Sequence, residues 1–458
     1  MYSVPIQTKP LSYADACEAL TLQLRIGIDP VLETVIEMLE VLGNPQSYFD
    51  VIQIGGTNGK TSTSRYTAAF LEAALKDING TPEDMPLVGL YTSPELERVN
   101  ERIVLDGEDV ADELFATGVA AAQAAGEKVN HNRLLAGESL YNITQFDLLT
   151  VAALVIFALK NVKVAVLEVG MGGRWDATTA TTPLITAITG VDLDHTKILG
   201  ETKAQIAQEK AAIIKPGQRV FFGAGVAEDP EVRAIVDARC DACSIEPEYI
   251  PAQVPLEKCV SAKASSANDL PTKEQAGHTS RGTHIPHYQA ANIALSKALA
   301  EAYLQHGLSP QTTVDLLEHT LIPGRFEILS ERPFHIIDAA HNPQSVRVSM
   351  DELRAFQATQ DEPISALIAM FADKDTEQMA ALIANSLDPR ADIYVTQTHN
   401  ERCLSAVRLG ELFSTLGRAP ARIFESVPDA CDALAQGDYI AIGTITLAGE
   451  VKTFEKSG

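Results

Sequence analysis

The sequence lacks an apolar run long enough to cross a membrane. Runs such as "LLTVAALVIFAL" at 148–159 stop well short of the roughly 20 residues that a spanning helix needs. The N-terminal segment also lacks a basic stretch followed by an apolar one, which is the pattern of a secretory signal peptide. We therefore expect a cytoplasmic protein without membrane contact.

The cysteines are too scattered to predict a zinc centre. They stand at positions 17, 240, 243, 259, 403 and 431. Only Cys240 and Cys243 are close together, whereas a structural zinc site needs a second such pair or histidines at ligand spacing. Cys259 alone does not supply that. We expect reduced thiols with structural roles.

Positive charge is scarce. The 458 residues include 61 acidic and 36 basic side chains, a formal net charge of −25. This surplus argues against a nucleic-acid partner, because the phosphate backbone would be repelled. An anionic substrate would have to be held by local cations and helix N-termini. The composition, 46% hydrophobic and 21% charged, is that of a globular protein large enough for two or three domains.

Strand-like apolar runs alternate with helical patterns, which predicts an α/β fold with parallel sheets. A first series has strands at 51–54, 87–91, 162–170 and 184–189 and a helix in "SRYTAAFLEAALK". A second series has strands at 334–340, 364–371, 391–396 and 438–444. Surface loops are expected at 126–142 and 262–284, and a helix at 289–305. A break in "IPGRFEIL" (322–329) predicts two domains, at 1–321 and 322–458.

The stretch "VIQIGGTNGKTSTS" (51–64) joins a buried strand to a helix through a glycine-rich turn. Backbone N–H groups of such a turn, with the helix dipole behind them, bind phosphates. Lys60 would reach the β- and γ-phosphates of a nucleotide, and Thr61 or Ser62 would place a hydroxyl on Mg²⁺. The common spacing of this motif requires glycine where Ile54 stands, so a plain glycine turn with a chance lysine is the alternative.

Polar residues at the ends of two predicted strands are candidate metal ligands. Glu168 ends "VAVLE" and is followed by glycines that allow close backbone approach. In open α/β sheets, ligands bind beyond the carboxyl ends of the strands, although a simple capping acid would also fit. His195 lies in "VDLDHTKILG" beside Asp192 and Asp194. It is either a second metal ligand or a structural histidine.

Other charged residues are harder to assign from the sequence. Asp338 and His341 of "IIDAAHNP" lie where a strand meets a turn, so they would bind a polar group or form a turn and a helix cap. Arg325 lies at the predicted break between the domains, where a cation would meet a phosphate. Lys210 and Lys215 of "QEKAAIIKPG" have no function that the residues themselves indicate.

Taken together, these stretches resemble the Mur ligase superfamily, and most closely its folylpolyglutamate synthase/dihydrofolate synthase branch. The resemblance covers nearly the whole chain. It rests on several motifs in the same order, namely "LEVLGNPQSYFDVIQIGGTNGKTST", "LYTSPELERVNERI", "LEVGMGGRWDATT", "DLDHTKILGETKAQIAQEKAAIIKPG", "PGRFE", "DAAHNP", "FADKD" and "AIGT".

The resemblance implies an N-terminal P-loop ATPase domain with a mostly parallel sheet and a smaller C-terminal Rossmann-like domain, with the active site between them. ATP would phosphorylate a substrate carboxylate, and the amine of L-glutamate would attack the acyl phosphate. The acceptor would be dihydropteroate, a reduced folate monoglutamate, or both. Family members are usually monomers, and neither a nucleic acid nor a membrane is an expected partner.

The functional residues of the family carry over by motif. ATP contacts fall on Gly56, Thr57, Asn58, Gly59, Lys60, Thr61 and Ser62, and on the far side of the cleft on Asn292, Arg325, Asp338 and His341. Metal ligands fall on Thr61, Ser93, Glu168 and His195, with Mg²⁺ as the metal, in one or two sites. The pterin seat falls on Thr144, Gln145, Phe146 and Asp147. Lys210 matches a lysine that is carbamylated in many members, and it joins Lys60 and His195 as a predicted catalytic residue.

Five positions depart from the usual family motifs. They are Glu95 for histidine, Asp147 for glutamate, Thr179 for asparagine, Tyr288 for histidine and Ala339 for glycine. The ATP and metal positions are kept, which favours divergence within a folate enzyme over a Mur-type paralogue acting on another carboxylate. A nucleotide-binding regulator or phosphotransferase is disfavoured, because a phosphate-binding switch has no use for Glu168, His195 and Lys210 together.

Overall fold

The computed structural model describes residues 1–24, 31–79, 86–252 and 284–457. The chain divides into two compact units. Among the described residues, the first unit comprises 1–24, 31–79, 86–252 and 290–316, and the second comprises 284–289 and 317–457. The short segment 284–289 thus belongs to the second unit although the residues that follow it belong to the first.

The described part of the first unit is built on an eight-stranded sheet. Its strands are β1 (Asp50–Gly55), β2 (Val88–Tyr91), β3 (Ile103–Leu105), β4 (Glu108–Asp109), β5 (Val164–Glu168), β6 (Ile185–Gly190), β7 (Arg219–Gly223) and β8 (Glu248–Tyr249). The order is β4-β3-β2-β5-β1-β6-β7-β8, parallel except for the edge formed by β3 and β4. Because β1 pairs with β5 and β6, the turn that follows β1 lies in the middle of the carboxyl edge.

Helices and short 3₁₀ turns connect these strands. The helices are α1 (Tyr13–Leu24), α2 (Leu32–Val41), α3 (Lys60–Asn79), α4 (Asp112–Ala136), α5 (Gln145–Lys160), α6 (Thr196–Leu199), α7 (Lys203–Ala211), α8 (Ala224–Ala227), α9 (Pro230–Ala242), α10 (Ala290–Leu304) and α11 (Pro310–His319). The 3₁₀ turns of the first unit are Pro45–Tyr48, Val99–Arg102 and Ala177–Ala180, whereas His287–Gln289 belongs to the second unit. Helix α5 is buried from Asp147 to Ala158, so its apolar run forms the centre of a core rather than one amphipathic face.

The second unit has a six-stranded sheet in its described part. Its strands are β9 (Glu327–Glu331), β10 (Phe334–Asp338), β11 (Ser365–Ile368), β12 (Ile393–Val395), β13 (Arg422–Ile423) and β14 (Tyr439–Ile442), in the order β13-β12-β11-β14-β10-β9. Only β9 is antiparallel to its neighbour. The helices are α12 (Pro343–Gln357), α13 (Thr376–Ser386), α14 (Ala406–Thr415), α15 (Val427–Leu434) and α16 (Ile445–Ser457).

The two mostly parallel sheets confirm the predicted α/β class. Every predicted strand overlaps an observed one, because central parallel strands are buried on both faces and read as short apolar runs. All five residues of β5, for example, are buried. The helix predicted at 289–305 is α10. The predicted domains, 1–321 and 322–458, and the function of each stay predictions.

The loop predicted at 126–142 is wrong over its first part, because α4 continues to Ala136. Two glycines of α4, Gly118 and Gly126, allow neighbouring side chains to pack closely and do not form a turn. A Cβ on Gly118 would lie 2.7 Å from Ile156 Cδ1, and one on Gly126 would lie 2.4 Å from Ile143 Cδ1. The helix ends where Gly137 takes a left-handed φ of +74°. The other predicted loop, at 262–284, lies outside the described residues except for its last position.

The cysteines in the described part of the chain are free thiols. Cys240 and Cys243, the close pair, are buried at the end of α9, whereas Cys259 lies outside the described residues. A search of the described helices finds none that is both long and apolar enough to span a membrane.

Candidate active site

The glycine-rich turn joins β1 to α3 as predicted. Gly56 has a φ of +142° and Gly59 a φ of +84°, which residues with a side chain rarely adopt. A Cβ on Gly56 would lie 2.0 Å from Thr189 Oγ1, and one on Gly59 would lie 2.4 Å from Asn292 Oδ1. Glycine is therefore needed at both positions for two reasons, the backbone conformation and the side chain that a Cβ would meet.

Residues at the end of β6 hold the turn in shape. The amide of Thr57 donates to the carbonyl of Gly190 at 2.8 Å. The Thr57 hydroxyl lies 3.1 Å from the carbonyl and 3.0 Å from the amide of Asp192. Thr189 Oγ1 donates to the carbonyl of Asn58 at 2.6 Å. Because the turn is already ordered, an anion that binds to its N–H groups has little further ordering to bring about.

Two lysines lie at this turn. Lys60, the first residue of α3, donates from Nζ to the carbonyl of Thr57 at 3.0 Å. Lys210, in the last turn of α7, is 5% exposed and donates from Nζ to the carbonyl of Gly56 at 2.8 Å. Burial and the nearby Lys60 ammonium lower the pKa of Lys210 to about 7, although Asp194 acts in the opposite direction. Near neutral pH, a large fraction of Lys210 is therefore an uncharged amine.

Glu168 lies at the end of β5 beside the first turn of α3. Its buried carboxylate accepts hydrogen bonds from Thr61 Oγ1 at 2.8 Å and from the backbone amide of Ser93 at 3.1 Å. Carboxylate and hydroxyl oxygens are ligands that Mg²⁺ prefers, and this ion usually completes its shell with phosphates and water. Within the described ranges, no three His, Cys, Asp or Glu side chains form a metal cage. The donor set thus fits a Mg²⁺ ion that arrives with a nucleotide.

His195 stands directly before α6, in a left-handed conformation with a φ of +50°. Its side chain is 41% exposed, and its Nε2 lies 3.9 Å from Asp194 Oδ2. The same Asp194 affects the pKa of Lys210, so His195 lies in a loop that borders the lysine. Its role as a ligand of a second metal stays a prediction.

The segment predicted as a pterin seat forms the beginning of α5. The amide of Asp147 donates to Thr144 Oγ1 at 3.1 Å, and Asp147 Oδ2 accepts from the amide of Thr144 at 2.9 Å. This capping box uses the Asp147 carboxylate to start the helix. Phe146 packs on Gly170, where a Cβ would lie 2.5 Å from Phe146 Cζ. Of the four residues, Gln145 and Phe146 are those that take no part in the cap.

Asn292 lies in the first unit, not on the far side of a cleft with the second-domain residues as predicted. It belongs to α10, which packs against α3, and its Oδ1 lies 3.5 Å from Thr63 Oγ1. Ser296 Oγ donates to the carbonyl of Thr63 at 2.9 Å in the same contact. The predicted domain 1–321 already placed α10 with the first sheet, but its contact with α3 joins segments far apart in the sequence. A contact of Asn292 with a nucleotide stays a prediction.

Asp338, at the end of β10, is the centre of a buried polar cluster in the second unit. Its Oδ2 accepts from the hydroxyl of Tyr288 and the amide of Phe326, each at 3.0 Å. Its Oδ1 accepts from the amide of Ala340 at 2.8 Å. Burial raises the pKa of Asp338, and the nearby Arg325 opposes this shift. The cluster ties the residues before β9, and the segment before α10, to the end of β10.

Arg325 and His341 lie on either side of this cluster in the sequence. Arg325 Nη1 donates to the carbonyl of Gly324 at 3.1 Å. The amide of His341 donates to Ser345 Oγ at 3.1 Å, and its Nδ1 lies 3.0 Å from the carbonyl of Ala339. Asn342 begins α12 with a capping box. His341 therefore adjoins a helix start, and nucleotide contacts of both residues stay predictions.

Sequence reasoning assigned no role to two residues that shape the site, Thr189 and Asp176, although Asp176 stands in a quoted motif. Thr189 positions the phosphate-binding turn, and its place at the end of β6 is the signal that could have found it. Asp176 is buried and accepts from the amides of Met171 and Thr178, each at 3.0 Å, which orders the loop after Glu168. Burial raises the pKa of Asp176.

Comparison with known proteins agrees with this geometry. Residues 324–443 match the family described as Mur ligase, glutamate ligase domain. A folylpolyglutamate synthase of Lacticaseibacillus casei is 32% identical over 416 residues, which cover 89% of this chain and 92% of that protein. A dihydrofolate synthase/folylpolyglutamate synthase of Escherichia coli is 28% identical over 445 residues, or 97% of this chain and 92% of that protein.

A solved structure has the same fold. The bifunctional folylpolyglutamate synthase/dihydrofolate synthase of Yersinia pestis, in complex with AMPPNP and a Mn ion, superimposes with a TM-score of 0.74 at 25% identity. The match covers 98% of this chain and 99% of that one.

The fold and the matched glutamate ligase domain are therefore those of an ATP-dependent ligase of the Mur superfamily. The similarity to the Lacticaseibacillus casei enzyme extends over most of both chains, which allows a narrower assignment. The chain belongs to the folylpolyglutamate synthase/dihydrofolate synthase family, and the resemblance of its motifs to that family is confirmed.

Proposed function

We propose that the protein is an ATP-dependent amide ligase that adds L-glutamate to a folate. One observation carries the proposal, namely that Thr61 and Glu168 meet at 2.8 Å beside an ordered phosphate-binding turn in a chain of this family. The nucleotide analogue and Mn ion in the solved relative support ATP as the phosphoryl donor and a divalent metal as its companion.

The proposed reaction solves a chemical problem, since a carboxylate is a poor electrophile. A carboxylate oxygen of the acceptor attacks the γ-phosphorus of ATP, ADP leaves, and an acyl phosphate forms. The amine of glutamate then attacks the acyl carbon, phosphate leaves with the bridging oxygen, and a proton passes from nitrogen to solvent. Bound Mg²⁺ would offset negative charge on the phosphates.

The chain's own groups would act on the phosphate. The N–H groups of Gly56 to Gly59 and the first turn of α3 would bind it, and the Lys60 ammonium would stabilise charge that develops during transfer. Thr61, Ser93 and Glu168 would hold the metal, and Gln145 and Phe146 would contact the pterin. ATP contacts by Asn292, Arg325, Asp338 and His341 belong to the same proposal, as does the assignment of residues 1–321 and 322–458 as ATP-binding and glutamate ligase domains.

Lys210 is the proposed site of carbamylation. Its neutral amine would attack carbon dioxide, forming an N–C bond and releasing one proton. The product is an anion, so the repulsion that lowers the pKa of Lys210 beside Lys60 would become an attraction. An anionic group here would also be suited to a second Mg²⁺ with His195.

Two departures from the family motifs have structural roles within the first unit. Thr179 is buried, accepts from Gln53 Nε2 at 3.1 Å and donates to the carbonyl of Gly173 at 2.8 Å. Glu95 accepts from Arg102 Nε at 2.5 Å. Because both side chains are engaged within the first unit, neither requires a different substrate. We propose dihydropteroate, a folate monoglutamate, or both as acceptors.

Phosphate release tests the proposal. Purified protein should release phosphate only when ATP, glutamate and a pterin acid are all present, and mass spectrometry of a mixed pteroate and folate pool should show added glutamyl units. Phosphate release that continues after the pterin acid is omitted would contradict a folate acceptor and favour a Mur-type ligase of another carboxylate.

A further inference from the structure

The first unit contains a second site at which positive charge is concentrated. A pocket of about 400 Å³ lies between α7, the segment after it, and α9. We call it the α7–α9 pocket. Cations at its wall come from Arg174, Lys215 and Arg239, and apolar surface comes from Ala211 and Ile235. Among the described residues, its lining contains no acidic side chain, although the chain has 61 acids and 36 bases.

Backbone carbonyls, not carboxylates, hold two of these cations. Lys215 Nζ donates to the carbonyls of Thr179 at 2.6 Å and Thr181 at 3.1 Å. Arg239 donates from Nε and Nη2 to the carbonyl of Ile214 at 3.0 and 2.6 Å. Among the described residues, neither cation has a carboxylate within ion-pair distance.

The carbonyl contacts fix both cations in place but leave their charge uncompensated. Each keeps N–H groups for a further acceptor, because a lysine ammonium has three and an arginine guanidinium has five. Burial lowers the pKa of Lys215, because desolvation disfavours the charged form. Arg174 differs, since it pairs with Glu209 at 3.1 Å.

We propose that the α7–α9 pocket binds a small anion that carries phosphate or carboxylate oxygens, with Lys215 and Arg239 as its main ligands. Positioned cations with free donors beside an apolar wall suit a charged group on a short aliphatic body. The site is separate from the phosphate-binding turn, and the inference does not depend on ligase activity.

Tryptophan fluorescence gives a direct test, because the only tryptophan of the chain, Trp175, follows Arg174 of the pocket wall. The full-length protein is titrated with inorganic phosphate and, separately, with a triglutamate peptide, and a triglutamine peptide is the neutral control. We expect saturable binding of at least one anion and none of the neutral peptide. Saturation by phosphate alone assigns a phosphate site, and saturation by triglutamate assigns a carboxylate site. No saturable response to either anion overturns the proposal.

Variants locate the binding. Lys215→Gln and Arg239→Gln should each weaken it at least about tenfold, as expected for the loss of a charge-assisted contact. Arg219→Gln, which removes an exposed arginine elsewhere in the first unit, should leave it unchanged. The titrations are repeated on Lys60→Ala, because phosphate also suits the turn. Loss of binding in Lys60→Ala, or unchanged binding in both Lys215→Gln and Arg239→Gln, overturns the proposal.

The role of Arg239 at the Ile214 carbonyl makes folding a concern, so circular dichroism accompanies each variant. If Lys215→Gln or Arg239→Gln fails to fold, the anion titrations of Arg174→Gln and Lys215→Arg test the proposal instead. Arg174 is exposed, and its loss should weaken anion binding by a few-fold. Lys215→Arg should retain binding. Unchanged affinity in Arg174→Gln would then contradict the proposal.

Discussion

Each unit buries a carboxylate at the end of a parallel strand, but the two carboxylates have different neighbours. Glu168 of the first unit accepts hydrogen bonds from the Thr61 hydroxyl and the Ser93 amide. It lies next to the turn whose carbonyls accept hydrogen bonds from Lys60 and Lys210. Among the described residues, these two ammonium groups have only backbone carbonyls as hydrogen-bond partners. Asp338 of the second unit accepts three donors from within that unit.

The lysines near Glu168 suit an anionic ligand, whereas the carboxylate of Asp338 is already hydrogen-bonded within its own unit. Two lysines this close repel each other when both are protonated, and an anion bound at the turn relieves that repulsion. A buried carboxylate with satisfied hydrogen bonds instead stabilises its surroundings, and removal of it leaves donors unpaired. Substitutions near Glu168 should therefore affect mainly catalysis, and substitutions near Asp338 should also affect the free energy of unfolding.

The largest effect is expected from Lys60→Ala. Loss of the cation that stabilises the transferring phosphoryl should lower kcat by about 10³-fold, with little change in thermal stability because the Lys60 ammonium donates only to the Thr57 carbonyl among the described residues. Steady-state kinetics measure this. Lys76→Ala, at the exposed end of the same helix, is the matched control. Near-normal activity of Lys60→Ala would remove the turn from the mechanism.

A smaller loss, about 10²-fold in kcat, is expected from Lys210→Ala. If a carbamate acts here, formate or acetate should restore part of the activity by occupying the vacated space with an anion. Lys60→Ala serves as the control, since a carboxylate cannot replace a lost cation. Full activity of Lys210→Ala would show that no carbamate at this position takes part.

Asp338→Ala should lower the stability of the second unit in addition to removing a proposed ATP contact. Three donors lose their acceptor, so we expect a loss of about 2 kcal/mol in the free energy of unfolding, measured by urea denaturation. Tyr288→Phe removes only one of those donors and should cost about 1 kcal/mol. Asp361→Ala, an exposed acid of the same unit, is the control. An unchanged midpoint in Asp338→Ala would contradict the structural role.

The smallest expected effect is a pH dependence of reactivation. Enzyme freed of carbon dioxide should regain activity faster at pH 8 than at pH 6 when dissolved carbon dioxide is held constant. With a lowered pKa of about 7, the neutral amine of Lys210 rises from about one-tenth to about nine-tenths over this range, roughly ninefold. A rate that increases only near pH 10 would show an ordinary lysine pKa.

The sequence predicted those parts of the fold that depend on local patterns. Central strands such as β5 and β10 are apolar runs bounded by turns, and the turn after β1 has its own glycine and lysine motif. The part of helix α4 from residue 126 onward was missed because it is polar and poor in large apolar residues, whereas its packing, such as that of Gly126 against Ile143, involves a residue outside the helix. Local patterns do not encode such tertiary requirements.

The candidate site was predictable where a motif lies on a strand end and unpredictable where distant segments meet. Lys60, Thr61 and Glu168 come together because parallel strands share one carboxyl edge. The contact of Asn292 with Gly59 and that of Tyr288 with Asp338 join residues far apart in sequence. The lowered pKa of Lys210 also depends on burial and on Lys60, which no spacing in the sequence reveals.

The central claim is that the first unit builds an acyl phosphate on the acceptor's carboxylate, and isotope transfer tests it most directly. An acceptor whose reacting carboxylate contains ¹⁸O at both oxygens is converted with ATP and glutamate. The released phosphate is examined by mass spectrometry. The mechanism predicts one ¹⁸O atom in each phosphate, because the bridging oxygen leaves with phosphorus. Amide product formed together with unlabelled phosphate would contradict it.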